Sequence, residues 1–159
     1  MMYDFNADEI FEIAGQMERN GSKFYRMAAS AITDETARSL LEKLADMEDN
    51  HEKVFSQMRA QLTAKEKETT VFDPQNEAVA YLRALADMRV FFDKTLDTSS
   101  METILKDAIT AEKDSIVFYL GMREAVPREM GAERLDEIIK EEMGHIRLLS
   151  QELGAYRKE

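Results

Sequence analysis

The chain has 159 residues, no cysteine and a formal net charge of −11. That charge argues against a nucleic-acid backbone or an anionic membrane surface as partner, and the missing thiols exclude disulfides, thiolate zinc sites and cysteine-ligated iron–sulfur clusters. One domain of this length buries roughly two-thirds of its unfolded surface, and 33% charged residues with only 6 Gly and 2 Pro favour long helices.

The first residues, Met1-Met2-Tyr3-Asp4-Phe5, lack the basic and apolar regions of a signal peptide. No apolar run approaches the ~18 residues of a membrane span, so a cytoplasmic protein is expected. Asn6-Ala7-Asp8-Glu9 predicts a helix start, with Asn6 as N-cap. Phe11, Ala14, Glu18, Gly21, Tyr25 and Ala28 then recur at steps of three and four, one face of a helix. The pattern breaks at Ser30 to Thr33, and Thr33-Asp34-Glu35 starts a second helix. Its inner face reads Leu41, Leu44, Glu48, His51, Phe55, Met58, Leu62. The acidic residues of both helices fall inside the apolar stripes, not opposite them.

Thr63 to Thr70 is polar and predicts a loop. Asp73-Pro74 suits an N-cap and first helical position, opening a shorter helix with Val79, Leu82, Leu85, Ala86 and Val90 inward. After a break near Asp97 to Ser100, with Ser99 and Glu102 as a capping box, a third long helix carries Leu105, Ala108, Glu112, Ser115, Tyr119 and Met122. Pro127 marks a turn, the fourth long helix carries Leu135, Ile138, Glu142, His145 and Leu149, and Gly154 suggests its C-terminal stop. The expected organisation is a single domain over 1–159: a helix hairpin at 6–62, a crossover at 63–98 and a helix hairpin at 99–154. The crossover is long enough to run back along the bundle, so the second and third long helices lie parallel.

The two hairpins repeat one pattern. Glu18, Tyr25, Glu48 and His51 are each followed 94 residues later by the same residue, at Glu112, Tyr119, Glu142 and His145. The chain has only 2 His, and both stand three residues after a glutamate. Glu18 and Glu48 are equally far from Thr33, and Glu112 and Glu142 equally far from Pro127, so folding each hairpin brings its carboxylates level. We read an internal duplication. Residues i and i+3 share a helix face, so each histidine lies one turn from its glutamate. Four carboxylates buried together would repel and lose hydration at a cost of many kcal/mol. Two divalent cations balance that charge. One glutamate from each of two helices plus Glu-x-x-His from each of the other two is the ligand set of di-iron and di-manganese bundles. Oxygen-rich donors with one nitrogen per metal suit iron or manganese. Each motif alone would read as a surface glutamate of an acidic helix; the set of six on inward stripes does not. Tyr25 and Tyr119 lie two turns from Glu18 and Glu112 on the same faces, placed either as core residues or as donors to the carboxylates. The methionines read as core filler.

At these residues the chain resembles the ferritin-like superfamily and, within it, the rubrerythrin-like di-iron proteins. Gln16-Met17-Glu18-Arg19 with Phe24-Tyr25, and Glu112 with Phe118-Tyr119, carry the closer likeness. The resemblance implies an all-α, antiparallel four-helix bundle with a long, partly helical crossover between its second and third helices. It also implies two Fe ions per chain, with Mn or Zn as substitutes, bridged by Glu48 and Glu142. Glu18 and Glu112 are then terminal ligands, and His51 and His145 cap one metal each. The implied activity is reduction of peroxide or dioxygen, with electrons from a separate protein such as a rubredoxin or ferredoxin. A homodimer is the expected assembly, and neither nucleic acid nor membrane is an expected partner. Two departures stand out. The chain lacks the four-cysteine iron domain of rubrerythrins, and Ser115 stands where they carry a second carboxylate, with Gly21 as its repeat mate. These small residues are expected to line the layer beside the metals, either as a pocket with room for an oxidant or to allow close helix packing. Competing readings are iron storage of the bacterioferritin kind, where Asp49 replaces a methionine, and a di-iron hydroxylase.

Overall fold

The computed structural model describes residues 6–62, 77–87, 99–126 and 131–158. Five helices lie in these segments: α1 (Ala7–Ala31), α2 (Glu35–Ala60), α3 (Glu77–Asp87), α4 (Met101–Ala125) and α5 (Ala132–Lys158). Three begin on polar caps that satisfy an otherwise orphaned amide. Asn6 Oδ1 accepts from the Glu9 amide at 2.9 Å, Asp34 Oδ1 from Ala37 at 2.7 Å, and Ser100 Oγ from Thr103 at 3.1 Å. The α4 cap is therefore Ser100, one residue later than the expected Ser99. Ile32 and Val126 end α1 and α4 by turning to extended backbone. Gly131, at φ 111, supplies the left-handed turn before α5. Gly154 does not stop α5, which runs on to Lys158. Arg157 in that last turn bonds Glu102 in the first turn of α4 at 2.9 Å. The expected Asp73-Pro74 start, the 63–70 loop, the inward Val79, Ala86 and Val90, and the Pro127 turn lie outside what the structure describes.

Cross-helix pairs give the directions. Arg59 meets Asp8 and Arg19 meets Glu52, so α1 and α2 are antiparallel. Arg123 meets Asp136 and Glu102 meets Arg157, so α4 and α5 are antiparallel. Tyr25 reaches Glu112 while Tyr119 reaches Glu18, which runs α4 against α1. It follows that α2 and α4 are parallel. α3 packs on α4 through the buried Leu82, and Tyr81 donates a hydrogen bond to the Val117 carbonyl. The bundle is all-α and ferritin-like in its described part.

The apolar stripes meet in two clusters rather than one. The first contains Phe11, Ala14, Phe55, Phe118, Met122 and Ile138, and the second contains Ala28, Leu41, Leu44, Leu105, Ala108 and Leu149. Along every long helix the chain passes from one cluster to the other. The residues at each crossing are Glu18, then Glu48 with His51, then Glu112, then Glu142 with His145. The polar layer is thus closed above and below by hydrocarbon.

Candidate dinuclear metal centre

All six of these residues are buried, none more than 4% exposed. They form two overlapping groups: Glu18, Glu48, His51 and Glu142, and Glu48, Glu112, Glu142 and His145. In each, one donor atom per residue lies within 4.8 Å of the others. Donors about 2.1 Å from a shared ion stand up to about 4.2 Å apart, so each group could close on one metal with little movement. Glu48 and Glu142 belong to both groups, the position of a bridge. The two imidazoles stack with centroids 5.9 Å apart and planes 18° from parallel. Both turn Nδ1 inward. His51 Nδ1 is 2.7 Å from Glu142 Oε1, and His145 Nδ1 is 3.2 Å from Glu48 Oε1 and 3.3 Å from Glu112 Oε1.

Whether a cation fits can be judged from the unmet donors. Glu18 Oε2, Glu48 Oε1, His51 Nδ1 and both carboxylate oxygens of Glu142 are buried with no hydrogen-bond partner among the described residues. Buried polar atoms are rarely left so, and five of the seven such atoms among the described residues converge here. The set fits two oxygen-rich cation sites with one nitrogen each.

The electrostatics agree. Burial pushes the Glu48 carboxyl well above the carboxylate range, and the charges of Glu18, Glu142 and Glu112 push it further. Glu142 is raised to about 8, by burial and then by Glu112 and Glu18. Burial also opposes the charge of Glu112, but the neighbouring Glu142, His145 and Tyr25 hold its pKa below the usual value. Burial alone would lower the histidines. Their facing carboxylates outweigh it, raising His51 to about 11 through Glu142 and Glu18, and His145 to about 9 through Glu112 and Glu142. Without metal, protons on histidines and carboxyls take over the balancing of charge.

Tyr25 and Tyr119 act across the hairpins. Tyr25 on α1 donates to Glu112 on α4, and Tyr119 on α4 donates to Glu18 on α1. Burial first and the neighbouring carboxylates second push both phenols well above their ordinary pKa, so both remain donors. Gly21 and Ser115 differ. A Cβ at Gly21 would lie 2.8 Å from Glu48 Oε2, so the room beside Gly21 is taken by that carboxylate. Ser115 is half-buried and donates to the Ala111 carbonyl at 3.1 Å. One contributor was missed in the sequence: Glu141 Oε2 accepts from His51 Nε2 at 2.6 Å. Its only signal there was its place one residue before Glu142.

A layer of carboxylates and histidines inside a bundle of four long helices, the second and third of them parallel, defines the class of ferritin-like carboxylate proteins. A structure from Thermotoga maritima, provisionally described as a ferritin-like diiron-carboxylate protein, superposes with a TM-score of 0.68 over 92% of this chain and 93% of its own, at 24% sequence identity. That likeness shows the fold. None of the curated proteins matches the sequence. The family model for Rubrerythrin matches residues 2–96, more than half of the chain, and the chain belongs to the rubrerythrin family. No described helix is long and apolar enough to cross a membrane.

Proposed function

We propose that the chain is a cytoplasmic oxidoreductase that reduces peroxide or dioxygen at a di-iron carboxylate centre. Glu18, Glu48, His51, Glu112, Glu142 and His145 would hold two iron ions, with Glu48 and Glu142 shared and each histidine on one ion. The observation that carries the reading is the overlap of two buried donor groups at Glu48 and Glu142. Bound iron would supply reversible one-electron chemistry and open coordination positions for an oxygen ligand. The protein residues supply the rest. Glu18 and Glu112 are held in place by phenols from the opposite hairpin. The two apolar clusters keep bulk water from the layer, so charges within it interact more strongly than at a surface. The raised pKa values of Glu142 and the two histidines belong to the metal-free layer, and binding of two cations would displace protons from the ligating atoms of these groups.

These 159 residues contain no cysteine to carry an iron–sulfur or four-cysteine iron relay. We place a separate donor in that role, of the rubredoxin or ferredoxin type, and a homodimer as the working assembly. Iron storage and hydroxylation of an organic substrate remain the readings to beat. The test is anaerobic loading with Fe2+ followed by stopped-flow mixing with hydrogen peroxide or dioxygen. Two Fe2+ per chain and oxidation well within the mixing experiment, repeatable after chemical reduction, support the proposal. Iron that accumulates beyond two per chain as a mineral would favour storage. Two bound irons that stay reduced with both oxidants would remove the oxidoreductase reading.

A further inference from the structure

His51 and His145 are mates in the repeat, and both point Nδ1 at the carboxylates. Their outer nitrogens are treated differently. His51 Nε2 has the Glu141 carboxylate at 2.6 Å. His145 Nε2 is buried and has no hydrogen-bond partner among the described residues. The sequence explains the difference. Glu141 immediately precedes Glu142 on α5 and reaches across to α2. The residue immediately before Glu48, 94 positions earlier than Glu141, is Met47. A thioether is a weak acceptor and carries no charge. One half of the site has an outer carboxylate, and the other has a methionine in the matching place.

An imidazole that gives one nitrogen to a metal carries its proton on the other. A carboxylate accepting that proton fixes the tautomer, orients the ring and makes the inner nitrogen more basic; losing such a partner typically weakens metal binding 10–100-fold. We infer that Glu141 is a positioning residue that makes the His51 metal position the tighter of two unequal positions, so that the centre fills and empties in a set order. This rests on the two-metal reading above. The His145 position, whose ring lacks this support, is filled last and released first. Glu141 is 40% exposed, so solvent screens part of its effect. The lower end of the range, about tenfold, is expected.

Repulsion between two cations would separate the binding steps even at identical positions, so two steps alone prove nothing. The responses of variants decide. Metal-free protein is titrated anaerobically with Co2+, followed by calorimetry and by visible absorption. The parent should take two Co2+ per chain in two steps. Glu141→Ala should weaken the first step about tenfold or more and spare the second, narrowing the gap. Glu141→Gln, which keeps an acceptor but no charge, should fall between. Met47→Glu should tighten the second step instead. With one equivalent of Co2+, the parent should show one strongly shifted imidazole N–H proton resonance, broadened by faster solvent exchange in Glu141→Ala. A purely structural role for Glu141 would lower the melting temperature of the metal-free protein and leave the ratio of affinities unchanged. That result, or equal steps in the parent, overturns the inference and leaves two metals in place. A folded parent that binds no Co2+ removes the two-metal reading itself.

Discussion

The two hairpins agree inside and disagree outside. Around the centre, six pairs of positions 94 apart carry the same residue: Ala14 and Ala108, Glu18 and Glu112, Tyr25 and Tyr119, Leu41 and Leu135, Glu48 and Glu142, His51 and His145. On the outer surface the correspondence is lost. Arg26 and Asp49 form an ion pair at 2.5 Å between α1 and α2. Their counterparts between α4 and α5 are Leu120 and Met143, 41% and 52% exposed. Arg59, part-exposed and paired with Asp8 and Glu12, corresponds to Leu153, which is buried in the second apolar cluster. The inner residues answer to reach and charge balance in a water-poor layer, where one wrong side chain leaves another unsatisfied. The outer ones answer to solvent, which accepts an ion pair or an exposed apolar side chain at similar free energy. Function is therefore to be sought where the halves still match, and specialisation where an inner pair has diverged.

The largest expected effect comes from breaking the matched set. Replacing both Glu48 and Glu142 by alanine removes the two shared carboxylates, and metal content should fall from two per chain to none by elemental analysis. Glu142→Ala alone should leave one metal or none. Retention of two tightly bound metals in the double variant would end the assignment of the centre to these residues.

The next effect is the pH response of the metal-free protein. His51 and His145 have folded pKa values of about 11 and about 9 against an ordinary 6.5, and Glu142 about 8 against 4.5. In each case the folded chain holds a proton that the unfolded chain releases earlier. The folded state binds more protons, so stability falls as pH rises. The histidine contribution is complete below pH 6.5 and disappears as pH climbs through about 9 and about 11; the Glu142 penalty grows as pH rises from 4.5 to about 8. Glu112, lowered by its bonds, works the opposite way, and only at the acid end. Melting should occur at higher temperature at pH 6 than at pH 9. A difference of only ~2 kcal/mol would move it by roughly 4–8 °C. Bound metal should flatten this profile and raise it by mass action. A melting temperature independent of pH and metal would count against a buried, charged layer.

A smaller effect separates the two small residues. Gly21→Ala drives a methyl group against Glu48, at a cost of about 1–3 kcal/mol and with weaker metal binding. Ser115→Ala removes one hydroxyl bonded to its own helix and should stay within about 0.5 kcal/mol. Equal thermal shifts for the two variants would show that Glu48 moves aside freely. At the outer surface, Arg59→Met should cost at most about 1 kcal/mol, because its ion pairs to Asp8 and Glu12 are part-exposed. High salt should erase that difference in melting.

Most of the site could be read in the sequence, because helical spacing and the 94-residue repeat are both one-dimensional. Spacing places Glu48 and His51 on one face, and the repeat raises two weak motifs to one strong pattern. What could not be read was which way each ring turns. The Glu141 bond depends on the His51 ring plane and on a reach from α5 to α2, neither of which leaves a periodic trace. The tyrosines illustrate the same limit: their place on the inner face was legible, but their carboxylates on the opposite hairpin were not. Local end signals did less well. Ser99 and Ser100 are chemically equivalent as caps, and the register of α4 chose the second. Gly154 was a weak stop because glycine permits a turn without requiring one, and the Arg157 bond to Glu102 rewards another helical turn.

The reciprocal tyrosine bonds have a consequence for ancestry. Tyr25 donates a hydrogen bond to the second hairpin, and Tyr119 returns the same bond to the first. This is the rule of an isologous contact, in which residue i of one copy meets residue j of the other and j meets i. A single short hairpin associating with a second copy of itself would satisfy both bonds and bring four carboxylates and two imidazoles together. Such a pair is obliged to be symmetric, since one codon sets both sides. Joining the copies in one chain lifts that obligation. Met47 opposite Glu141, and Gly21 opposite Ser115, are changes that only a joined chain can make on one side at a time.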